Sequence, residues 1–244
     1  MRERTQERTR TPSFAASSPE TTERTACVYH GKYSITYLRS VKGLAMQTRL
    51  PTEERQAEIV AAALHLARTV SPVSITTSDI AAAIGITQGA VFKHFPTKDA
   101  IWVASMKWVR ERLLAKLEEA ARAEISGVPA LEAVFRAHVA FVIAHPGAPR
   151  IIFHELQQPA DSPVKQEVRA LLQAYRQILL HQLKAGMKLG ELQAGLDLEA
   201  AATLFVGIVQ GLLMQSMLTG KPAVMKAQAD SVFALYLRGI GESP

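Results

Sequence analysis

Apolar residues recur at three- and four-residue spacing through most of this chain, and Gly or Pro interrupts the pattern at short intervals. The first regular segment begins at Thr52, and its Ile59, Val60 and Ala63 fall on one side of a helix. Runs that alternate apolar and polar residues, as half-buried strands do, are nearly absent. The predicted fold class is therefore all-α, with little or no strand.

The ends of nine helices can be predicted from capping residues and from Gly or Pro. The third helix is expected to be followed at once by Pro96, and the fourth to run from Thr97 until Gly127 stops it. The other predicted helices cover residues 52–70, 77–84, 87–95, 129–144, 148–157, 162–188, 197–218 and 223–238.

Composition excludes several classes of protein. Hydrophobic residues make up 48% and charged residues 20% of the 244 residues, which is ordinary for a soluble globular protein. The single cysteine, Cys27, rules out an internal disulfide and a Cys-based zinc site, and it fits a cytoplasmic location. Most of the net charge of +6 falls in residues 1–45, so charge is only a weak argument for nucleic acid.

Residues 1–48 are predicted to form a disordered basic extension. Residues 1–26 are rich in Arg, Thr, Ser, Glu and Pro, which cannot bury enough surface to fold alone, and they contain no apolar signal segment. A second methionine, Met46, stands just before the first helix. Two interpretations stay open: a flexible basic arm, or an upstream start codon chosen in error.

Residues 49–97 are predicted to form a helix-turn-helix domain. Gly85 separates the second helix from the third, at a turn that needs a residue tolerating positive φ. Ile80, Val91 and Phe95 would face inward, and the second helix of such a pair is the one that enters the major groove of DNA. The competing interpretation is a packed helix pair whose polar face is merely solvated.

The outward face of the third helix favours the DNA interpretation. Gln88 offers an amide edge that suits adenine, Lys93 can reach guanine or a phosphate, and Gly89 would let the backbone approach closely. Hydroxyls at the start of the second helix and an amine at the start of the fourth could hold the DNA backbone. The other candidates are Thr77, Ser78, Phe92, His94 and Lys98. His94 could equally be a helix-terminal residue that bonds a carbonyl.

The stretch 76–102, TTSDIAAAIGITQGAVFKHFPTKDAIW, closely resembles the DNA-binding segment of TetR/AcrR-family transcriptional regulators. The positions in register are Thr76, Thr77, Ile80, Ala81, Gly85, Ile86, Thr87, Gly89, Val91, His94, Phe95, Lys98 and Asp99. The resemblance implies a dimeric regulator, a repressor, that binds palindromic operator DNA. By position it implies base contacts for Gln88, Gly89 and Lys93, and backbone contacts for Thr77, Thr87, His94 and Lys98.

One position departs from the family pattern. Members usually have Tyr where this chain has Phe92, and the Tyr hydroxyl typically reaches a DNA phosphate. Losing one net hydrogen bond costs about 1 kcal/mol. A weaker affinity with an unchanged binding mode is therefore expected.

Residues 98–244 are predicted to form a ligand-binding and dimerisation domain. Residues 200–220 carry no charge, which by length would permit a membrane span, but Gln210 and Gln215 interrupt the run and its flanks lack an aromatic belt. A helix buried by its own domain and by a second subunit is the preferred interpretation. The predicted dimer interface comprises Leu204, Gly207, Ile208, Gly211, Leu212, Gln215, Phe233 and Leu237.

The middle helices are predicted to enclose a small, largely apolar effector. Apolar cavities with a few convergent polar groups are the usual small-molecule sites. The candidate lining residues are Trp102, Met106, His138, Phe141, Phe153, His154, Gln157, Tyr175 and Met214. The fourth helix would join this pocket, at Trp102 and Met106, to Lys98 at the DNA surface.

No enzymatic activity, cofactor or metal site is predicted. The chain has no Gly-rich phosphate loop, no G-x-S-x-G sequence and no cluster of metal ligands. The alternative function is a helical interaction module that has kept the fold and lost specific DNA binding.

Overall fold

The computed structural model describes residues 25–30, 34–39 and 51–241. Within 51–241 the chain forms nine α-helices in the predicted order, which confirms the all-α class. They are α1 (Thr52–Leu66), α2 (Thr77–Ala83), α3 (Gln88–Phe92), α4 (Lys98–Arg122), α5 (Val128–Ala144), α6 (Gly147–Leu156), α7 (Pro163–Lys188), α8 (Leu198–Thr219) and α9 (Pro222–Ile240).

Three helices are clearly shorter than predicted: α1, α3 and α4, which ends at Arg122 rather than just before Gly127. α1 ends at Leu66 because the next turn tightens: the N–H groups of Arg68 and Thr69 bond carbonyls three residues back, at 3.1 and 3.2 Å. α3 ends at Phe92, because the N–H of His94 likewise bonds the carbonyl three residues back.

Two short strands precede the helices. β1 (Thr25–His30) and β2 (Ser34–Arg39) pair antiparallel, with Thr25 opposite Arg39 and His30 opposite Ser34. This pair differs from the predicted disordered extension, although both segments are rich in the β-branched and aromatic residues that favour strands. The rest of the predicted extension, residues 1–24, 31–33 and 40–48, lies outside the described residues.

Threonine side chains cap the N-termini of α2, α3 and α4. Thr76 forms a reciprocal capping box with Asp79, which begins α2. Thr87 and Thr97 accept backbone N–H bonds at the starts of α3 and α4. Gly85 has φ +70°, the left-handed conformation that the turn between α2 and α3 requires.

The close approach of α6 to α1 is made possible by a glycine. A Cβ on Gly147 would lie 2.1 Å from the carbonyl oxygen of Leu64, so only glycine fits there without movement. The start of α6 therefore packs directly on the last turn of α1. Since α1 also packs on α2 and α4, this contact ties the helix-turn-helix region to the remaining helices.

Aromatic rings fill the core shared by α5, α7, α8 and α9. The Phe135 and Phe233 rings stack with centroids 4.8 Å apart, and Phe205 packs edge-on against Phe135 at 5.7 Å. Tyr236 donates its hydroxyl to the carbonyl of Ala201 across 3.1 Å, which joins α9 to α8. Such interlocked rings define how α8 and α9 lie against the rest of the domain.

One helix in the described ranges, α8, has the length and apolar composition that crossing a membrane requires; α5 and α6 qualify only as a pair bent by 90°. One side of α8 is buried in the protein, with Phe205, Val209 and Leu212 among its buried residues. The described residues therefore cover only part of this apolar helix.

Candidate nucleic-acid interface and cavity

The outer face of α3 is exposed, as predicted. Gln88, Gly89, Phe92 and Lys93 all reach solvent, while Val91 is buried. Phe92 leaves 45% of its surface exposed, although a large aromatic ring gains most from burial. An exposed helix face that carries hydrogen-bond donors and an aromatic ring is suited to contact another molecule.

Gln88 is already engaged with the preceding helix. Its Nε2 donates to the Oγ1 of Thr77 across 2.7 Å, and Thr77 is buried behind it. The direct backbone contact predicted for the Thr77 side chain is therefore not supported by its position. Ser78, one residue on, is exposed and keeps the hydroxyl that was predicted to face a phosphate.

The remaining predicted backbone contacts lie around the ends of α3. Thr87 is exposed and caps α3, and Lys98 donates from its Nζ to the carbonyl of Val73 across 2.9 Å. The Nδ1 of His94 is buried and has no hydrogen-bond partner in the residues that the structure describes. The interpretation of His94 as a residue whose Nδ1 bonds a carbonyl is therefore not supported.

Gln56 on α1 is a positioning residue that the sequence analysis missed. Its Nε2 donates to the backbone carbonyl of His94 across 3.2 Å, which fixes the end of α3 against α1. No local pattern in the sequence marks it, because the contact spans 38 residues.

A cavity of about 150 Å³ lies among α4, α5, α6, α7 and α8. Its walls are mostly aliphatic and aromatic, and its polar side chains are His138, His145, Tyr175 and Gln210. The other lining residues are Val109, Leu113, Phe141, Val142, Ala148, Pro149, Ile152, Phe153, Leu156, Val168, Leu171, Leu172, Val206 and Leu213.

Four of the nine predicted pocket residues line this cavity: His138, Phe141, Phe153 and Tyr175. The other five predictions are corrected by the structure, because none of those residues is among the lining residues. Trp102 and Met106 are buried in the core, His154 is half-buried, and Gln157 and Met214 are exposed.

The physical reason for these misses is the direction in which each helix faces the cavity. α4 reaches the cavity through Val109 and Leu113, two turns beyond Trp102 and Met106 on the same stripe. On α8 the lining residues are Val206, Gln210 and Leu213, and the adjacent Met214 is exposed to solvent.

A histidine–tyrosine pair forms one wall of the cavity. The Nδ1 of His138 lies 3.1 Å from the hydroxyl oxygen of Tyr175, and the rings meet edge to face at 5.2 Å. Burial lowers the pKa of His138 to about 4 and raises the pKa of Tyr175 well above its usual value. Both side chains are therefore uncharged at neutral pH.

His145 lies at the end of α5 and is also uncharged at neutral pH. Its ring packs against Trp108 at 5.2 Å and against Phe141 at 4.5 Å. Burial lowers the pKa of His145, and the nearby charge of Arg112 lowers it further. The described lining residues therefore present no charged side chain to the cavity at neutral pH.

Within the described ranges, no group of three or more His, Cys, Asp or Glu residues could hold a metal ion.

Most of the predicted dimer residues form an exposed strip. Leu204, Gly207, Gly211 and Gln215 on α8 are exposed, and Ile208 is half-buried. An added Cβ at either glycine would meet no atom within 4 Å in the part of the chain that the structure describes. This strip is open to a partner.

Two predicted dimer residues belong instead to the core of the subunit. Leu212 is buried on the inner side of α8, and Phe233 is buried against Phe135. Leu237 on α9 is half-buried. Leu218 and Leu235, which were not predicted, are strongly exposed.

Comparison with known proteins gives two family matches. Residues 59–104 match the family described as "Bacterial regulatory proteins, tetR family", and residues 155–232 match "Tetracyclin repressor-like, C-terminal domain". Together these two matches cover the helix-turn-helix region and the segment from the end of α6 into α9, which includes the α7 and α8 walls of the cavity.

Individual relatives are more distant. The "Fatty acid metabolism regulator protein" of Bacillus subtilis is 23% identical over 163 residues, 67% of this chain and 84% of that protein. The "Nucleoid occlusion factor SlmA" of Haemophilus ducreyi is 26% identical over 101 residues, 41% of this chain and 50% of that protein. The fold matches that of the transcriptional regulator FadR from Bacillus subtilis in complex with stearoyl-CoA, with a TM-score of 0.66, 22% identity and coverage of 75% and 98% of the two chains.

Proposed function

Because this chain belongs to the TetR family of bacterial regulatory proteins, we propose that it is a cytoplasmic transcriptional repressor that binds palindromic operator DNA as a dimer. A small, largely apolar effector releases it. The observation that carries this proposal is the exposed face of α3, where Gln88, Gly89 and Lys93 stand side by side after the Gly85 turn.

Base contacts are assigned to that face on chemical grounds. The Oε1 of Gln88 can accept from adenine while one N–H of its Nε2 donates to the base and the other stays on Thr77. Lys93 can reach guanine or a phosphate. Gly89 leaves room for the groove wall. Ser78, Thr87 and Lys98 surround this face and are positioned to hold the DNA backbone.

A dimer is proposed from the exposed strip on α8. An uncharged, apolar and glycine-containing helix face is costly to leave in water, and it allows close approach of a second helix. Two copies of α3 would then meet two half-sites about 34–36 Å apart.

The effector site is assigned to the cavity because two of its walls continue to the DNA-binding helices. α4 begins at Lys98 and lines the cavity with Val109 and Leu113. α6 lines the cavity with Phe153 and packs on α1 at Gly147. A ligand that favours one arrangement of α4 and α6 shifts the dimer between half-site spacings, with a coupling of about 1–3 kcal/mol.

The relatives support an apolar effector without identifying it. One relative is named a fatty acid metabolism regulator, and the FadR structure contains stearoyl-CoA, whose acyl chain is apolar. A cavity of about 150 Å³ is the size that holds benzene. A long acyl chain would therefore have to enlarge this cavity, whereas a small apolar molecule fits it as it stands.

Fluorescence anisotropy with DNA flanking the chain's own gene, against scrambled DNA and across a salt series, tests this proposal. Sequence-selective binding that is lost in the Gln88→Ala, Lys93→Ala double variant supports it. The control is Gln173→Ala with Lys184→Ala, two exposed residues of the same types on α7. A preference for the flanking DNA that persists in the α3 variant contradicts the assigned contacts.

One observation favours the alternative of an interaction module without specific DNA binding. Phe92 lacks the hydroxyl that the family's Tyr gives to a phosphate, and this side chain is exposed. A folded dimer that binds neither the flanking DNA nor genomic fragments would establish the alternative. Binding that weakens steeply with salt would count against it.

A further inference from the structure

The position of one proton in the cavity follows from its hydrogen bonds. Tyr175 is buried, and its hydroxyl has one hydrogen-bond partner among the described residues, the Nδ1 of His138. A phenol hydroxyl is a stronger donor than a neutral imidazole N–H, and an unprotonated imidazole nitrogen is a stronger acceptor than a phenol oxygen, so the stronger hydrogen bond has the hydroxyl as donor. Tyr175 therefore donates to Nδ1, and Nδ1 carries no proton of its own.

This arrangement fixes the tautomer of His138. A neutral imidazole carries one proton, so when Nδ1 accepts a hydrogen bond the proton is on Nε2. The described residues offer Nε2 no hydrogen-bond acceptor, and the ring lies on the cavity wall. The cavity thus contains a hydrogen-bond donor that a ligand can satisfy.

The rest of the lining decides which ligand could use this donor. Gln210 is exposed at the α8 rim, and His145 is packed between the Trp108 and Phe141 rings. With no charged side chain on the described walls, a carboxylate or ammonium would lose its hydration without gaining an ion pair.

We propose that the effector is an uncharged, largely apolar molecule whose single polar group is a hydrogen-bond acceptor, such as a ketone, ester or ether oxygen, and that this oxygen accepts from the Nε2–H of His138. This inference rests on the proposed function only in treating the cavity as the effector site.

Four probes of nearly equal size separate the possibilities by calorimetry on the full chain without DNA. Acetophenone has the acceptor, and α-methylstyrene replaces its C=O by C=CH₂; benzoate and benzamidinium add a negative and a positive charge. Acetophenone is expected to bind about 3- to 10-fold more tightly than α-methylstyrene, as one neutral hydrogen bond allows. The two ions are expected not to bind measurably.

The variant His138→Phe with Tyr175→Phe keeps both rings and removes the polar pair, so it should bind the two neutral probes equally. Gln210→Leu removes the rim amide, which is a competing donor in the cavity lining. Gln173→Leu, at an exposed α7 position outside the lining, is the control that should leave the preference intact. Equal binding of the neutral probes to the unaltered protein, tighter binding of either ion, no binding of acetophenone up to its solubility limit, or loss of the preference in Gln210→Leu alone overturns the proposal.

A second measurement does not depend on whether the double variant folds. Long-range ¹H–¹⁵N spectra of the unaltered protein distinguish the two histidine tautomers directly. His138 should show a protonated Nε2 and an unprotonated Nδ1. The opposite tautomer overturns the assignment.

The failure of this inference can be told apart from the failure of the proposed function. Release of operator DNA is measured separately with the same probes. Selective binding of acetophenone without DNA release would keep the ligand class and contradict the effector role. Release of DNA by benzoate or benzamidinium alone would support an effector role for the cavity and contradict the proposed ligand class.

Discussion

The Nε2 of Gln88 on α3 donates a hydrogen bond to the Oγ1 of Thr77 on α2, across 2.7 Å. The amide that is proposed to meet an adenine is thereby held in one orientation before DNA arrives. Ordering a long polar side chain at an interface costs about 0.5–1.5 kcal/mol, and this bond meets part of that cost in advance.

Removing this bond should weaken operator binding even though Thr77 is buried behind α3. Thr77→Val keeps the shape of the side chain and frees the Gln88 amide. We expect about 2- to 10-fold weaker binding to the operator and little change on scrambled DNA, measured by anisotropy. Thr69→Val, at an exposed position after α1, is the control. An equal loss on both DNAs would show that Thr77 acts only through folding.

Restoring a hydroxyl at position 92 should strengthen DNA binding. Phe92 is exposed at the end of α3, so Phe92→Tyr adds an oxygen where the family places a phosphate contact. One net hydrogen bond contributes about 1 kcal/mol, and we expect a gain of about fivefold in affinity. Titration of the unaltered protein and Phe92→Tyr against one operator at fixed salt measures this gain. Unchanged affinity would show that the ring at position 92 does not lie beside a phosphate.

A charge on the exposed strip of α8 should separate the subunits. Leu204→Glu is expected to convert the dimer to a monomer in sedimentation experiments and to weaken operator binding by more than about 100-fold, since both half-sites are then bound separately. Leu189→Glu is a matched control, because Leu189 and Leu204 are 56% and 53% exposed. A Leu204→Glu protein that remains dimeric would remove α8 from the interface.

A methyl group at position 147 should destabilise the chain. In Gly147→Ala the new Cβ meets the carbonyl oxygen of Leu64, so α6 must move away from α1. We expect a loss of about 1–3 kcal/mol in the free energy of unfolding, measured by urea titration. Gly195→Ala, where an added Cβ meets nothing within 4 Å in the described structure, should cost far less. Equal losses of stability in Gly147→Ala and Gly195→Ala would contradict the close contact between α6 and α1.

Acid should destabilise the fold through His138. Burial lowers its pKa from 6.5 to about 4, so above pH 6.5 neither the folded nor the unfolded state binds the proton. Below pH 6.5 the unfolded state binds it first, and stability falls until about pH 4, by roughly 3 kcal/mol in total. His145, whose pKa is also lowered, adds a loss of the same sign.

Urea midpoints between pH 7 and pH 4 measure this dependence. His138→Gln keeps a hydrogen-bonding side chain beside Tyr175 and should flatten the pH profile. His181→Gln changes an exposed histidine on α7 and should leave the profile unchanged. A profile that is as steep in His138→Gln as in the unaltered protein would contradict the assignment.

The helices and the exposed face of α3 follow from sequence because their causes are local. Thr87, Gly85 and the spacing of Val91 and Phe95 act within a few residues of one another. Only four of the nine residues predicted to line the cavity do so. Which residues of a helix face the cavity depends on how that helix packs against its neighbours. Trp102 and Val109 lie on one stripe of α4, and only packing decides which of them reaches the cavity.

The contacts that hold the site together are long-range and polar, and these the sequence does not reveal. The pairs Gln56–His94, Gln88–Thr77 and His138–Tyr175 span 38, 11 and 37 residues. Leu212 and Phe233 were assigned to the wrong side for a related reason. On a helix with two apolar faces, an apolar residue is compatible with the subunit core and with the dimer interface.

The open strip on α8 also determines how the protein responds to its own abundance. If two subunits must join there before a palindrome is bound, occupancy at low concentration rises with the square of the number of chains rather than in proportion to it. A twofold change in synthesis then becomes about a fourfold change in occupied operator, below the concentration at which dimers predominate. The uncharged face of one helix would thus make the regulator sensitive to its own rate of synthesis and dilution.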